Sequence, residues 1–358
     1  MPGFSTHHQV SEAILKRRTE LAADLVDREY ARQSELEQCP GRIDREMSLQ
    51  DAGSHLSYLA QAVALNNQAL FIDYIAWARV VLVHRHVIGT ELATKLECLA
   101  EVLRARLPVE DGTLAAGFVT AALLALPEMP NDMPTFLHEG EPLSPLAHQY
   151  LESLRRGERH LASRLILAAV AAGTSVKEIY LHVFQPAQYE IGRLWQLNQI
   201  SVAQEHYCSA ATQLIMSQLY PHIFASAKNG RTLVATCVSG DLHEIGVRMV
   251  ADFFEMDGWS TFYLGANTPH AGVVASVIEQ RADVLAVSAT ISYHVEAVQE
   301  LIQSVREHQT ARRVKILVGG YPFVKNRELW REIGADGSAP DAEQAIALAN
   351  RLVDGGGE

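Results

Sequence analysis

Two periodicities divide the chain. Up to about residue 228 apolar side chains recur at the three-to-four spacing that lines one face of a helix; from Arg231 short apolar runs of strand length alternate with helical stretches. In the first zone, residues 9–37 predict one long helix with Ile14, Leu21, Leu25 and Leu36 at apolar positions, stopped by Cys39-Pro40-Gly41. Ser48–Asp51 offers an N-cap for a helix to Leu65, and Asn66-Asn67 breaks it. Ala69–His86 is strongly apolar, holds Tyr74 and Trp77, and ends at Gly89. Glu91–Leu107 carries Leu92, Leu96, Leu99 and Leu103 on one stripe and stops at Pro108, and Gly112–Leu126 follows. Residues 1–127 therefore read as an all-helical domain.

Residues 128–145 read as a proline-rich linker, with Pro130, Pro134, Pro142 and Pro145 inside it. Next, Leu146–Ala172 predicts one helix ended by Gly173. Ser175 and Glu178 form a capping box for a helix to Leu197, kinked at Pro186. Asn198-Gln199 turns the chain, and Ser201 with Gln204 caps a helix to about Phe224. Residues 146–228 make a small four-helix bundle. Residues 229–354 repeat strand and helix five times, with strands at Leu233–Val238, Ser260–Leu264, Val284–Ser288, Val314–Val318 and Ala335–Ser338. That alternation predicts an α/β, flavodoxin-like, doubly wound parallel sheet. The tail Gly355-Gly356-Gly357 reads as a frayed end.

Composition narrows the class. Of 358 residues, 48% are apolar, enough for several cores, and the net charge of −12 argues against a nucleic-acid binder, which needs a basic face. Cys39, Cys98, Cys208 and Cys237 are scattered, as buried thiols in a reducing compartment are. The N-terminus has no apolar signal core, and no uninterrupted apolar run reaches the length of a membrane span. The expectation is a cytoplasmic protein with no membrane contact.

The first βα turn holds the sharpest chemistry. After Ser239-Gly240 come Asp241, His243 and Gly246, spaced D-x-H-x-x-G, at the carboxyl edge of a parallel sheet where open α/β folds bind ligands. Asp241 is placed to accept the N–H of one ring nitrogen, fixing the tautomer and raising ligand basicity. A single histidine is too few ligands for a structural zinc. It suits a metal already held in a macrocycle and needing one axial ligand.

The D-x-H-x-x-G run, with Ser288-Ala289-Thr290 after the third strand and Gly319-Gly320 after the fourth, resembles the cobalamin-binding domains of the methionine-synthase type. The resemblance implies base-off binding. His243 is then the lower axial ligand of cobalt and Asp241 its hydrogen-bond partner, with Gly246 admitting the nucleotide tail and Ser288, Thr290, Gly319 and Gly320 lining its slot. In the preceding bundle, Trp195 followed by Glu205-His206 is similar to the cap of the CarH/LitR adenosylcobalamin photoreceptors. That likeness implies that Trp195, Glu205 and His206 cover the upper face, with His206 a candidate upper ligand. Those repressors have histidine directly after the tryptophan, where this chain has Gln196, and they carry a winged-helix module that residues 1–127 do not resemble.

The whole arrangement resembles photocobilins, which join a globin-like or phycobiliprotein-like helical domain to a cobalamin photoreceptor. On that resemblance the candidate bilin (biliverdin) contacts are Tyr74, Trp77, Arg79, His84, Arg85 and His86. A plain helical interaction domain is the competing reading of residues 1–127. The expectation is therefore a light sensor rather than an enzyme, using adenosylcobalamin and a bilin, homo-oligomeric, and acting on a downstream signalling protein. The alternatives are a corrinoid methyl carrier of a methyltransferase system and a light-independent cobalamin-responsive module.

Overall fold

The computed structural model describes residues 6–34, 45–85, 89–224 and 226–355. The Cys39-Pro40-Gly41 stop, His86 and the last glycines of the tail lie outside the described residues. The chain forms two compact units, Met1–Met133 and Pro134–Glu358.

The first unit is all-helical: α1 (Thr6–Lys16), α2 (Arg18–Ser34), α3 (Arg45–Ala64), α4 (Gln68–His84), α5 (Gly89–Arg106) and α6 (Val109–Ala125). The helix expected over residues 9–37 is in fact two, parted at Arg17. The bend lets Val10 and Ile14 on one segment and Leu21 and Leu25 on the next all become fully buried, α1 against α3 and α2 against α3 and α5. No proline or glycine marks it in the sequence, because the cause is tertiary packing. Asn66 takes a left-handed backbone (φ 48°) and Asn67 caps α4 by accepting from the Ala69 amide. Val109–Glu128 is long and apolar enough to cross a membrane by length and composition, with 39% of its window buried. It packs against α4 and α5, as a core helix of a bundle does.

The second unit opens on its proline-rich stretch, which is tied down. The Thr135 hydroxyl and the Phe136 amide both donate to Glu190 Oε2, and Leu137 is buried in the core. Then come α7 (Ser144–Arg155), α8 (Arg159–Ala171), α9 (Val176–Ile179), a π turn (Tyr180–Phe184), α10 (Gln185–Gln196), α11 (Val202–Gln218) and α12 (Tyr220–Ile223). The single helix expected over 146–172 breaks at Gly157 (φ 77°). There the amides of Gly157 and Glu158 bond back to Leu154 and Ser153, the paired closure of a Schellman motif, which requires a residue that tolerates positive φ. Both capping boxes form, Ser175 with Glu178 and Ser201 with Gln204. At Pro186 the helix widens instead of simply kinking: the Gln185 amide reaches back five residues to the Tyr180 carbonyl. A proline has no amide to offer and its ring crowds the carbonyl four residues earlier, so the preceding turn opens.

The α/β part contains β1 (Thr232–Cys237), α13 (Ile245–Met256), β2 (Ser260–Gly265), α14 (His270–Glu279), β3 (Val284–Ser288), α15 (Val295–Glu307), β4 (Lys315–Gly319), α16 (Tyr321–Lys325), α17 (Leu329–Glu332), β5 (Gly337–Ser338) and α18 (Ala342–Asp354). All strands are parallel, in the order β2-β1-β3-β4-β5, the flavodoxin-like order. Strands β1 and β3 are almost wholly buried, which is why they read as unbroken apolar runs. The chain leaves β1 towards β2 on one side and later returns to β3 on the other. The carboxyl ends of β1 and β3 therefore flank the switch point, where such sheets take ligands. One apolar core joins the helical cap to the sheet, from Tyr150 and Phe184 through Phe253 and Phe254 to Trp259.

Candidate functional site

The loop after β1 is shaped by backbone bonds before any side chain acts. The Val238 amide donates to the Ser288 carbonyl, and the Asp241 amide donates to the Val238 carbonyl, making a tight turn through Gly240 (φ 87°). The loop after β2 clamps this turn: the Gly240 amide donates to Asn267 Oδ1 at 2.8 Å, and the Asn267 amide donates to the Asp241 carbonyl at 3.0 Å. The loop after β3 completes it, with the Thr290 amide donating to Asp241 Oδ2 at 2.6 Å. Three loops thus converge on Asp241, whose carboxylate is fully buried.

Asp241 Oδ1 accepts from the His243 amide at 2.9 Å and from His243 Nδ1 at 2.7 Å. Burial would raise the Asp241 pKa, but hydrogen bonds from His243 and from the backbone amides of Thr290 and His243, with the His294 ring close by, outweigh it and hold the group far below the ordinary carboxylate range. His243 is raised from its ordinary value, first by the hydrogen bond to Asp241; burial opposes this, and the charges of Asp241 and of Glu205 add to it. The pair fixes the tautomer with hydrogen on Nδ1 and leaves Nε2 on a half-exposed ring.

Among the described residues no group of three or more His, Cys, Asp or Glu is placed to hold a bare metal ion. One oriented imidazole fits a metal that brings its own equatorial ligands. Gly246, in the first turn of α13, leaves open space beside the loop: a Cβ built there meets nothing beyond its own stretch of helix within 4 Å. Gly320 is different: its φ is 104°, and a Cβ would lie 2.0 Å from the Ala289 carbonyl oxygen. Its service is to let the loop after β4 pass against the loop after β3, where the Ala289 amide donates to Gly319. Gly320→Ala should destabilise the fold by about 1–3 kcal/mol, the cost of overpacking a tight site, read as a lower urea midpoint.

The sheet register sets Ser288 beside Cys237 and Gly319, so Asp241, His243, Ser288, Thr290, Gly319 and Gly320 share one sheet edge. Trp195 is half-buried near the end of α10 and packs on the common core. Glu205 lies in the first turn of α11, one-quarter exposed, and accepts from the Ser209 hydroxyl. His206 is 74% exposed, with its Nε2 3.4 Å from Glu205. The Glu205 charge reaches His243, so this turn of the cap stands near the loop. Gln196 is buried.

Two residues were not legible in the motif. Glu244, inside D-x-H-x-x-G, accepts from Gln213 Nε2 of α11, from the Tyr263 hydroxyl and from the Ala266 amide, joining cap, loop and β2. His294 is 91% buried, its relative exposure being 9%, and its Nδ1 lies 3.6 Å from Asp241 Oδ2. Neither has a spacing signal, since their partners are distant in sequence.

The residues expected to hold a bilin serve the helical bundle instead. Tyr74 is buried, its hydroxyl bonds His55 Nδ1 at 2.8 Å, and its ring stacks on Tyr58 at 3.7 Å. Burial drives the His55 pKa down to about 3, so that histidine is neutral. Trp77 lies beside Tyr74 with ring centroids 6.1 Å apart. Arg79 donates to Asn131 and to the Leu126 carbonyl, where α6 gives way to a short 3₁₀ turn, and His84 faces Asp132 at 3.6 Å. Arg85 is exposed beyond the end of α4. These side chains staple α4 to its neighbours rather than converge on a pair of propionates.

Comparison with known proteins agrees on the cofactor and overturns the sensor. Residues 231–347 match a B12 binding domain model, and residues 146–220 match a second model of the same description. A corrinoid protein of Desulfitobacterium hafniense is 30% identical over 171 residues, 46% of this chain and 76% of that protein. Dimethylamine corrinoid protein 2 of Methanosarcina mazei is 28% identical over 200 residues, 52% of this chain and 90% of that protein. The monomethylamine corrinoid protein of Methanosarcina barkeri superposes with a TM-score of 0.52 at 22% identity, covering 58% of this chain and 99% of that one, which speaks for the fold. The expected CarH/LitR photoreceptor identity is therefore corrected, and with it the bilin and the light-sensing function. The globin-like or phycobiliprotein-like reading of the first unit gives way to the coarser one of a helical bundle. The likeness of Trp195 and Glu205-His206 to that cap was a match of three residues; the relatives match across the cap and the sheet together. The chain belongs to the corrinoid-protein family, as a cobalamin-binding protein.

Proposed function

We propose that the chain is a corrinoid methyl carrier, holding cobalamin at the carboxyl edge of its sheet and offering the group on cobalt to partner methyltransferases. The observation that carries this reading is the Asp241–His243 pair at the strand-order switch point, in a chain whose relatives are named corrinoid proteins. Several relatives are named for dimethylamine, which favours methylated amines as the source of the methyl group. Cobalamin, when bound, supplies a cobalt centre that takes up a methyl group and gives it away.

The protein's part is to hold and orient. His243 would hold cobalt through Nε2, because Asp241 occupies Nδ1. Gly246 leaves open space for the nucleotide tail, and Ser288, Thr290, Gly319 and Gly320 line its slot. From the cap, Trp195, Glu205 and His206 would shield the bound group from solvent.

A methyl carrier needs room for one carbon above cobalt, and an adenosyl-dependent protein needs room for a nucleoside. Titration of the purified protein with methylcobalamin and with adenosylcobalamin separates the two. Methylcobalamin should bind about tenfold tighter or more, a difference of about 1.4 kcal/mol. Tighter binding of adenosylcobalamin would overturn the methyl-carrier reading.

A further inference from the structure

The cap carries a hydrogen-bond network whose directions are fixed from its buried end. Thr212 is fully buried, and its hydroxyl donates to the Cys208 carbonyl at 2.9 Å. A hydroxyl has one hydrogen. The buried Tyr150 hydroxyl and Gln188 Nε2, each 2.8 Å away, therefore both donate to Thr212 Oγ1 and fill its two lone pairs. The Gln188 amide is thereby locked, with its nitrogen on Thr212 and its Oε1 3.3 Å from the Ser209 hydroxyl. That hydroxyl also lies 2.9 Å from Glu205 Oε1. Its one hydrogen cannot serve both oxygens, and the nearer, charged acceptor holds it. Gln188 Oε1 and the Glu205 carboxylate are left with room for hydrogens from outside the network.

These acceptors border open space. Gly192 stands one turn after Gln188 and one turn before Trp195 on α10, and a Cβ built there meets nothing beyond its own stretch of helix within 4 Å. On α11, Glu205, Ser209 and Gln213 follow at four-residue steps along one face, and Gln213 Nε2 donates to Glu244, the residue after His243. That face is the one turned to the cobalamin loop. The exposed His206 ring stands 3.4 Å from Glu205 Oε2 and competes for it as a charge only when protonated. An aromatic face attracts a cation, a carboxylate offsets its charge, and an amide oxygen accepts an N–H.

We propose, on the methyl-carrier reading, that the underside of the cap binds a methylated ammonium ion between Trp195, Glu205 and Gln188. Its N–H groups donate to the Glu205 carboxylate and to Gln188 Oε1, and its methyl groups lie on the indole and over Gly192. The methylated amine is then a ligand of this chain and not of a partner methyltransferase alone.

The full chain is saturated with methylcobalamin, and dimethylammonium and tetramethylammonium chlorides are titrated separately at constant ionic strength. Saturation-transfer NMR on the methyl signals of each ion reads binding. Dimethylammonium, with two N–H groups, should bind saturably and about tenfold or more tighter than tetramethylammonium, which has none. Gln188→Leu should shrink that ratio by removing one acceptor. Glu205→Gln should weaken both ions by about tenfold or more, because the charge is lost. A thermal melt of each loaded variant shows that it is folded, and the ratio of the two ions in the unmodified protein needs no variant at all. A loaded protein with no saturable dimethylammonium binding overturns the proposal and leaves the methyl-carrier reading standing, since the comparison of methylcobalamin with adenosylcobalamin tests that by itself. Equal affinity for the two ions in the unmodified protein overturns the proposal as well, as does a folded Glu205→Gln variant that binds both ions unchanged.

Discussion

His243→Ala is expected to cost more cobalamin affinity than any other single substitution in the α/β part. The loop supplies one imidazole, and among the described residues no group of three or more His, Cys, Asp or Glu is placed to hold a metal ion in its stead. Loss of an outer hydrogen-bond partner of a metal ligand typically costs about 10–100-fold in affinity, and loss of the ligand itself should exceed that range. The fold should survive, because the His243 ring is half-exposed and its amide bond to Asp241 does not depend on the side chain. The checks are a cobalamin titration, the nitrogen splitting of the cobalt(II) EPR spectrum, and a thermal melt. Added imidazole should restore part of the splitting. Unchanged affinity in the alanine variant would remove His243 from the site.

Asp241→Asn is expected to damage both binding and stability. An amide has one accepting oxygen where the carboxylate has two. One of the two faces, towards His243 or towards Thr290, must then meet an N–H with another N–H. Each charge-assisted bond lost inside the protein costs about 1.5–3 kcal/mol, so a loss of that size or larger should appear in urea unfolding. Affinity for cobalamin should fall by about 10–100-fold as the ring loses its fixed tautomer.

The same pair sets a pH dependence with two signs. The Asp241 pKa is held low in the folded protein, so its stabilisation is present above the ordinary carboxylate range and fades as pH falls through the folded value. The His243 pKa is raised, so the cobalamin-free protein gains its ion-pair stability fully below the ordinary histidine value and loses it as pH rises through the raised one. Ligation to cobalt runs the other way, since Nε2 must be free of its proton. Affinity should therefore rise with pH through the raised His243 value. In Asp241→Asn that rise should move to lower pH while the plateau affinity drops. A rise that stays in place in the variant would show that Asp241 does not set the His243 proton.

Much of the cobalamin loop was legible because it is local. Asp241 and His243 are two residues apart, and the amide and side chain of one bond the carboxylate of the other within a single turn. Glu244 and His294 were invisible because their partners lie 19 to 53 residues away in the chain, on β2, α11 and the Asp241 loop. The likeness of the cap to photoreceptors misled for a related reason. Trp195 and Glu205-His206 are common residues at helical positions, and three of them were read as a specific cap without the wider match that the sheet and bundle together supply. The bilin residues misled more simply: an apolar helix rich in aromatic and basic side chains is also what a bundle core with polar staples looks like.

By itself the sequence determined the elements whose causes lie within a few residues. These are the two capping boxes, the asparagine turn before α4, the buried parallel strands read as unbroken apolar runs, and the oriented histidine after β1. The tertiary structure decided whatever depends on elements meeting. It parted α1 from α2 at Arg17 so that both apolar faces could bury. It also brought the loops after β1, β2 and β3 together around Asp241. The reason is the strand order: a parallel sheet that runs β2-β1-β3 sets side by side loops that the chain separates by whole helices, and no local pattern records that adjacency.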